Sequence, residues 1–173
     1  MSDTRDILAK IHASLQPECD RIETIPNGLA FMLPLNPEEP NQKVFGTVTL
    51  DTDLPTPDTP VQLLSVEFIV FQDLPAPLPK QTVSRLHELS AMALFGTVRV
   101  NKERQLCYRY ICTVNDYDPP QTTQLFELIC YEMLLFLNVH YDYLFICATE
   151  PEQLTADEYL QQMVLAAAPE RLA

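Results

Sequence analysis

The residues best equipped for chemistry are three histidines and five cysteines, and their spacing argues against an assembled site. His140 falls on the apolar stripe of a long helical stretch. A nucleophilic or metal-binding role would need a partner at fitting spacing, and none is visible, so it reads as a hydrogen-bonded structural histidine. His12 and His87 sit on other helical stretches and suggest nothing more. Cys107, near Arg109, could be a reactive thiol, because a neighbouring cation lowers a thiol pKa. A structural cysteine is the preferred reading. Cys107 and Cys112 lie five apart on an expected strand, so they face opposite sides and cannot chelate together. There is no CxxC pair and no His-x3-His spacing, so no zinc site is expected. Asp51-Thr52-Asp53 begins like a calcium loop but lacks the glycine and the closing glutamate, and reads as a turn. Only Gly28, Gly46 and Gly96 exist, too few for a glycine-rich phosphate cradle. No catalytic, metal or cofactor residues are assigned, and a non-enzymatic protein is expected. The alternative is a small-ligand-binding protein or enzyme with a pocket between sheet and long helix near His140, with Tyr108 or Tyr110 facing inward.

The segment Gly96 to Ala148 organises the rest. It reads as a strand pair, Gly96–Asn101 and Gln105–Val114, followed by a helix from Thr122 to about Ala148. At about 100° per residue, Leu125, Phe126, Ile129, Met133, Phe136, Leu137, His140 and Leu144 fall on one side. Glu127, Tyr131, Asn138 and Asp142 fall on the other, but Leu134 and Leu135 intrude there. A helix apolar on more than one side usually has something packed on more than one side. Thr122 or Thr123 is expected to cap it, since Pro119-Pro120 bars an earlier start. Glu127, Glu132 and Asp142 break any uncharged apolar run of about 18 residues, so no membrane span is expected.

Upstream, Asp3 opens a helix running to about Leu15, with Ile7, Leu8, Ile11 and Leu15 on one face. Strands follow at Leu29–Leu35, Val44–Leu50 and Gln62–Phe71. On the last, Leu64, Val66, Phe68 and Val70 form one face, and Leu63, Ser65, Glu67, Ile69 and Phe71 the other. A proline-rich connector leads into a second helix, from Pro79 or Lys80 to about Phe95, with Gly96 as its stop. Its core side is Val83, Leu86, Leu89, Ala93 and Leu94, while Met92 and Phe95 fall on its polar side. Downstream, Thr155-x-x-Glu158 is a capping box that opens a short helix in a 151–173 extension. The expectation is a single α+β domain over 1–173: an antiparallel sheet of about five strands with helices on one face, in the order α-β-β-β-α-β-β-α(-α).

Composition limits the partners. The net charge is −13, which disfavours binding to a phosphate backbone, so no nucleic acid is expected. The charge is uneven: six of the eleven Lys and Arg residues lie between Lys80 and Arg109. Five cysteines, an odd number at irregular spacing, point to a reducing, cytoplasmic compartment. The polar N-terminus carries no apolar signal core. Pro37-Glu38-Glu39-Pro40 and Pro57-Asp58-Thr59-Pro60 match a bare PxxP without a basic neighbour and read as rigid loops.

Three stretches carry a family likeness: Leu94-Phe95-Gly96-Thr97-Val98-Arg99-Val100, the hairpin into Leu106-Cys107-Tyr108-Arg109-Tyr110, and the helix opening Thr122-Thr123-Gln124-Leu125. With the element order and acidity, they make Asp3 to Ala148 resemble the type III secretion chaperone-like fold, nearest its YbjN-like branch of bacterial sensory-transduction regulators. The resemblance implies a non-enzymatic, chaperone-like or regulatory protein, often a homodimer, that binds other polypeptides. The chain departs from that pattern in its proline-rich loops and its C-terminal helix. Met92, Phe95, Leu134 and Leu135 are the candidate partner-binding residues, because clustered exposed apolar side chains would mark an interface.

Overall fold

The computed structural model describes residues 4–36, 41–51, 61–74, 78–114 and 117–149. Six strands form one antiparallel sheet: β1 (Ile22–Ile25), β2 (Gly28–Pro34), β3 (Lys43–Asp51), β4 (Leu63–Phe71), β5 (Thr97–Val100) and β6 (Leu106–Thr113). Their spatial order is β1-β2-β3-β4-β6-β5. Among the described residues three helices accompany the sheet: α1 (Thr4–Leu15), α2 (Lys80–Ser90) and α3 (Pro119–Thr149). This is the expected α+β architecture, with one more strand than the sequence pattern suggested. β1 has only Ile22 and Ile25 as apolar residues, too few to show alternation. It forms because Pro26-Asn27 turns tightly, with Asn27 in the left-handed region (φ 54°), and zips it onto β2. The capping box at Thr155, the proline-bounded PxxP loops and Asp53 lie outside the described residues.

Register explains the core. Phe31, Gly46, Phe68, Tyr108 and Val98 lie side by side across five strands, and Leu29, Val48, Val66 and Tyr110 form the adjacent row. Strand alternation puts both rows on one face. Against it, Phe126 of α3 meets Phe31 edge-on with ring centres 6.1 Å apart, and Phe136 meets Tyr108 at 5.0 Å. Gly46 is small because Phe31 and Phe68 close over it, 6.1 Å apart and nearly perpendicular. A β-carbon there would approach the Phe31 ring to 2.5 Å and the Phe68 ring to 2.8 Å. Gly46→Val should therefore lower stability by about 1–3 kcal/mol, the usual cost of overpacking, read as a lower urea midpoint at unchanged m.

A register shift between Ile69 and Phe71 changes one expected assignment. Strict alternation puts Phe71 on the outer face. The bulge brings it opposite Leu106 instead, where it contacts Tyr141 and Phe145 of α3 at 5.4 and 5.8 Å.

Both later helices differ from the sequence reading at their ends. α2 stops at Ser90, five residues before Phe95. The Ser90 hydroxyl accepts the Val98 N–H at 2.9 Å and lies 2.8 Å from the Leu86 carbonyl oxygen, tying the helix end to the edge strand β5. The buried stripe is Thr82, Leu86 and Leu89. Val83 and Leu94, expected in the core, are 44% and 74% exposed. Helical spacing extended past the true end cannot place Leu94, since 91–96 is a turn.

α3 starts at Pro119, before the expected threonine cap. Its cap is Asp118, whose carboxylate accepts the Gln121 N–H at 2.8 Å, while the Gln121 side chain accepts the Asp118 N–H at 3.0 Å. This is a reciprocal capping box, with prolines in the first turn where no N–H is needed. Asp118→Ala should cost about 1 kcal/mol, measurable by chemical denaturation.

Candidate functional site: an outward apolar ladder on the long helix

α3 lies over the middle of the sheet, touching β4 and β6, with α1 on one flank and α2 on the other. Its inward side supplies Phe126, Ile129, Met133, Leu137 and Leu144 to the core. Its outward side is not polar. Leu128, Tyr131, Leu135 and Val139 recur every three or four residues along it, and Phe145 follows six residues later, with one edge on Phe71; each is 45–64% exposed. The ladder spans about 26 Å at 1.5 Å per residue. The half-buried Glu132 and the exposed Asn138 and Asp142 are the polar residues between its rungs.

Beside the ladder, toward α1, is a groove of about 450 Å³. Leu15 of α1, Leu33 and Leu35 at the end of β2, and Phe126, Leu134 and Leu135 of α3 line it. Glu18 and Glu127 also border it. Leu134 and Leu135 are thus placed together, at an apolar opening. Met92 and Phe95 do not line this groove. Met92 is exposed in the turn after α2, and Phe95 packs on Tyr110 of β6 with ring centres 5.2 Å apart. The Phe95 carbonyl accepts the Tyr108 hydroxyl. The four candidates therefore divide into two places on the molecule, Leu134 and Leu135 facing α1, Met92 and Phe95 on the α2 and β5 side. Sequence reading missed Leu128, Val139 and Phe145. A heptad count from Leu128, giving Tyr131, Leu135, Asn138, Asp142 and Phe145, would have marked the stripe.

The candidate chemical residues have different surroundings. His140 is buried with its ring 4.4 Å from Phe136, and it lines neither large groove of the described residues. Burial lowers its imidazole pKa below 6.5. The folded state then refuses a proton that the unfolded chain accepts, so stability is complete above pH 6.5 and falls as pH drops below it. His140→Gln should flatten that part of the stability profile between about pH 8 and about pH 5.5, read by denaturant titration at each pH.

Cys107 lies on the outer sheet face but is fully buried. Burial, then the Glu67 carboxylate on the neighbouring strand β4, pushes its thiol up to about 12. Arg99 opposes this weakly, and Arg109 is turned to Ser65, donating from Nε at 3.1 Å. The cation expected to activate this thiol is thus directed elsewhere. All five cysteines are free, and Cys19 is likewise raised, to about 11. Among the described residues no three metal-binding side chains gather, and no helix is long and apolar enough to cross a membrane.

No family model, curated protein or solved structure matches this chain. Its class rests on its own coordinates: an α+β fold with, among the described residues, one six-stranded antiparallel sheet and three helices.

Proposed function

We propose that this chain is a non-enzymatic protein-binding module, chaperone-like or regulatory, that pairs with a second copy of itself through the outward ladder of α3. The observation that carries this reading is the run of half-exposed apolar side chains from Leu128 to Phe145 on a helix whose other side already fills a core. Contiguous exposed apolar surface on a folded protein marks an interaction site.

The ladder is also self-complementary. A two-fold axis between Phe136 and Leu137 sets Leu128 opposite Phe145 of the second copy. The same axis sets Tyr131 opposite Asp142, where the phenol donates to the carboxylate, and Leu135 opposite Asn138. Isologous pairing of this kind gives Asp142 a donor and sets the apolar rungs at the two ends of the ladder against each other. The likeness to type III secretion chaperone-like proteins supports the same role, with the groove beside Leu134 and Leu135 as a place for an apolar segment of a client. Light scattering of the purified chain should give twice the chain mass. A strict monomer, unaffected by Leu135→Asp, would overturn the reading.

A further inference from the structure

A second apolar groove lies at the opposite flank, and the course of the chain points to what fills it. It holds about 380 Å³ between α2, β5 and the residues after β4. Leu78, Val83, Leu86 and Val100 give it apolar walls, and Arg99 and Arg104 border it. Arg104 is held in place there, donating from Nε to the Leu74 carbonyl at 2.7 Å. Val83 is one of two residues, with Leu94, that sequence spacing assigns to the core and that the described body leaves open.

The last turns of α3 end at the same corner. Tyr141 and Phe145 pack on Phe71, at the end of β4, three residues before Leu74. Arg85 of α2 acts electrostatically on both Tyr143 and Cys147, so the end of α3 runs beside the middle of α2. Beyond Thr149 the chain continues for 24 residues, 150–173. This segment is acidic and apolar: Glu150, Glu152, Asp157, Glu158 and Glu170 against one cation, Arg171. Leu160, Met163, Val164 and Ala167 recur at helical spacing after the capping box at Thr155. The surface around the groove has the opposite charge bias, since it belongs to the stretch holding six of the eleven cations.

We propose that residues 150–173 fold back into the α2–β5 groove of their own chain, with Leu160, Met163 and Val164 against Val83, Leu86 and Val100, and Asp157 and Glu158 toward Arg104, Arg99 being paired with Glu67 at 3.2 Å. The reach is easy: six extended residues from Glu150 to Thr155 span about 20 Å. Tethering supplies an effective concentration of order millimolar, so modest contacts suffice to hold the segment. The α3 ladder stays free for a second copy, so this inference stands independently of the pairing proposed above.

The test uses the full-length chain with a photo-crosslinking phenylalanine at Val83, an exposed position where the change leaves the core intact. A mixture of isotopically light and heavy protein is irradiated and digested, and linked peptides are identified by mass spectrometry. The expected products join position 83 to 150–173 with both halves of the same isotope. Links to 128–139, links of mixed isotope, or no link at all would overturn the proposal. In a second arm, Leu160→Asp with Met163→Asp in the full chain should speed amide exchange in α2 and β5 by about tenfold or more, as protection by a tethered ligand is lost. Exchange at 128–139 should not change. Unaltered exchange in α2 and β5 overturns the proposal as well.

Discussion

Leu135→Asp is expected to convert a dimer into a monomer without unfolding the chain. Leu135 is 45% exposed on α3, so the folded protomer does not rely on it for its core. In the proposed pair it is buried twice, once per copy, because that pairing is two-fold symmetric. Fully burying an exposed leucine contributes about 1.5–3 kcal/mol, and Leu135 has 45% of its surface left to lose, so two copies contribute roughly 1.5–3 kcal/mol per dimer. That is roughly one to two decades in dissociation constant. The introduced carboxylates add a desolvation cost in the same direction. Sedimentation or light scattering across a concentration series reads the change, and far-UV circular dichroism should be unaltered. A dimer of undiminished affinity would exclude the α3 ladder as the contact.

The largest loss of stability is expected for Phe31→Ala. Phe31 is fully buried and makes edge-to-face contacts with both Phe68 of the sheet and Phe126 of α3. It is therefore the ring that couples the sheet to the long helix. Truncating a buried phenylalanine costs about 3–5 kcal/mol, a large part of the roughly 5–15 kcal/mol that holds a domain folded. Urea denaturation measures it. The site also predicts a coupling. Phe31 is one of the two rings that exclude a β-carbon at Gly46, so Gly46→Ala should cost less in the Phe31→Ala background than in the native chain. Strict additivity of the two changes would mean that the rings do not set the size limit at Gly46.

Some of this was legible along the chain. The alternation in Leu64, Val66 and Phe68 identifies a strand and its helix-facing side, because side chains along a strand alternate between faces with a period of two. The helical period in Phe126, Ile129, Met133 and Leu137 identifies the inward side of α3 in the same way. Where the pattern misled, a side-chain or backbone interaction from elsewhere overrode local spacing. Ser90 ends α2 by bonding to Val98, a residue of the next strand. The β4 bulge turns Phe71 inward toward α3, which follows it by nearly fifty residues in the chain.

The candidate site divides along the same line. Leu134 and Leu135 announce themselves as apolar residues on a polar face, which periodicity alone reveals. That Leu128, Tyr131, Val139 and Phe145 join Leu135 on the open side depends on where α1, α2 and the sheet sit around the helix. Sequence period determined that α3 has a buried stripe, since burial on one side is a local property of a helix. Only the tertiary packing decided which of its remaining apolar residues stay uncovered, because exposure depends on neighbours supplied by distant parts of the chain.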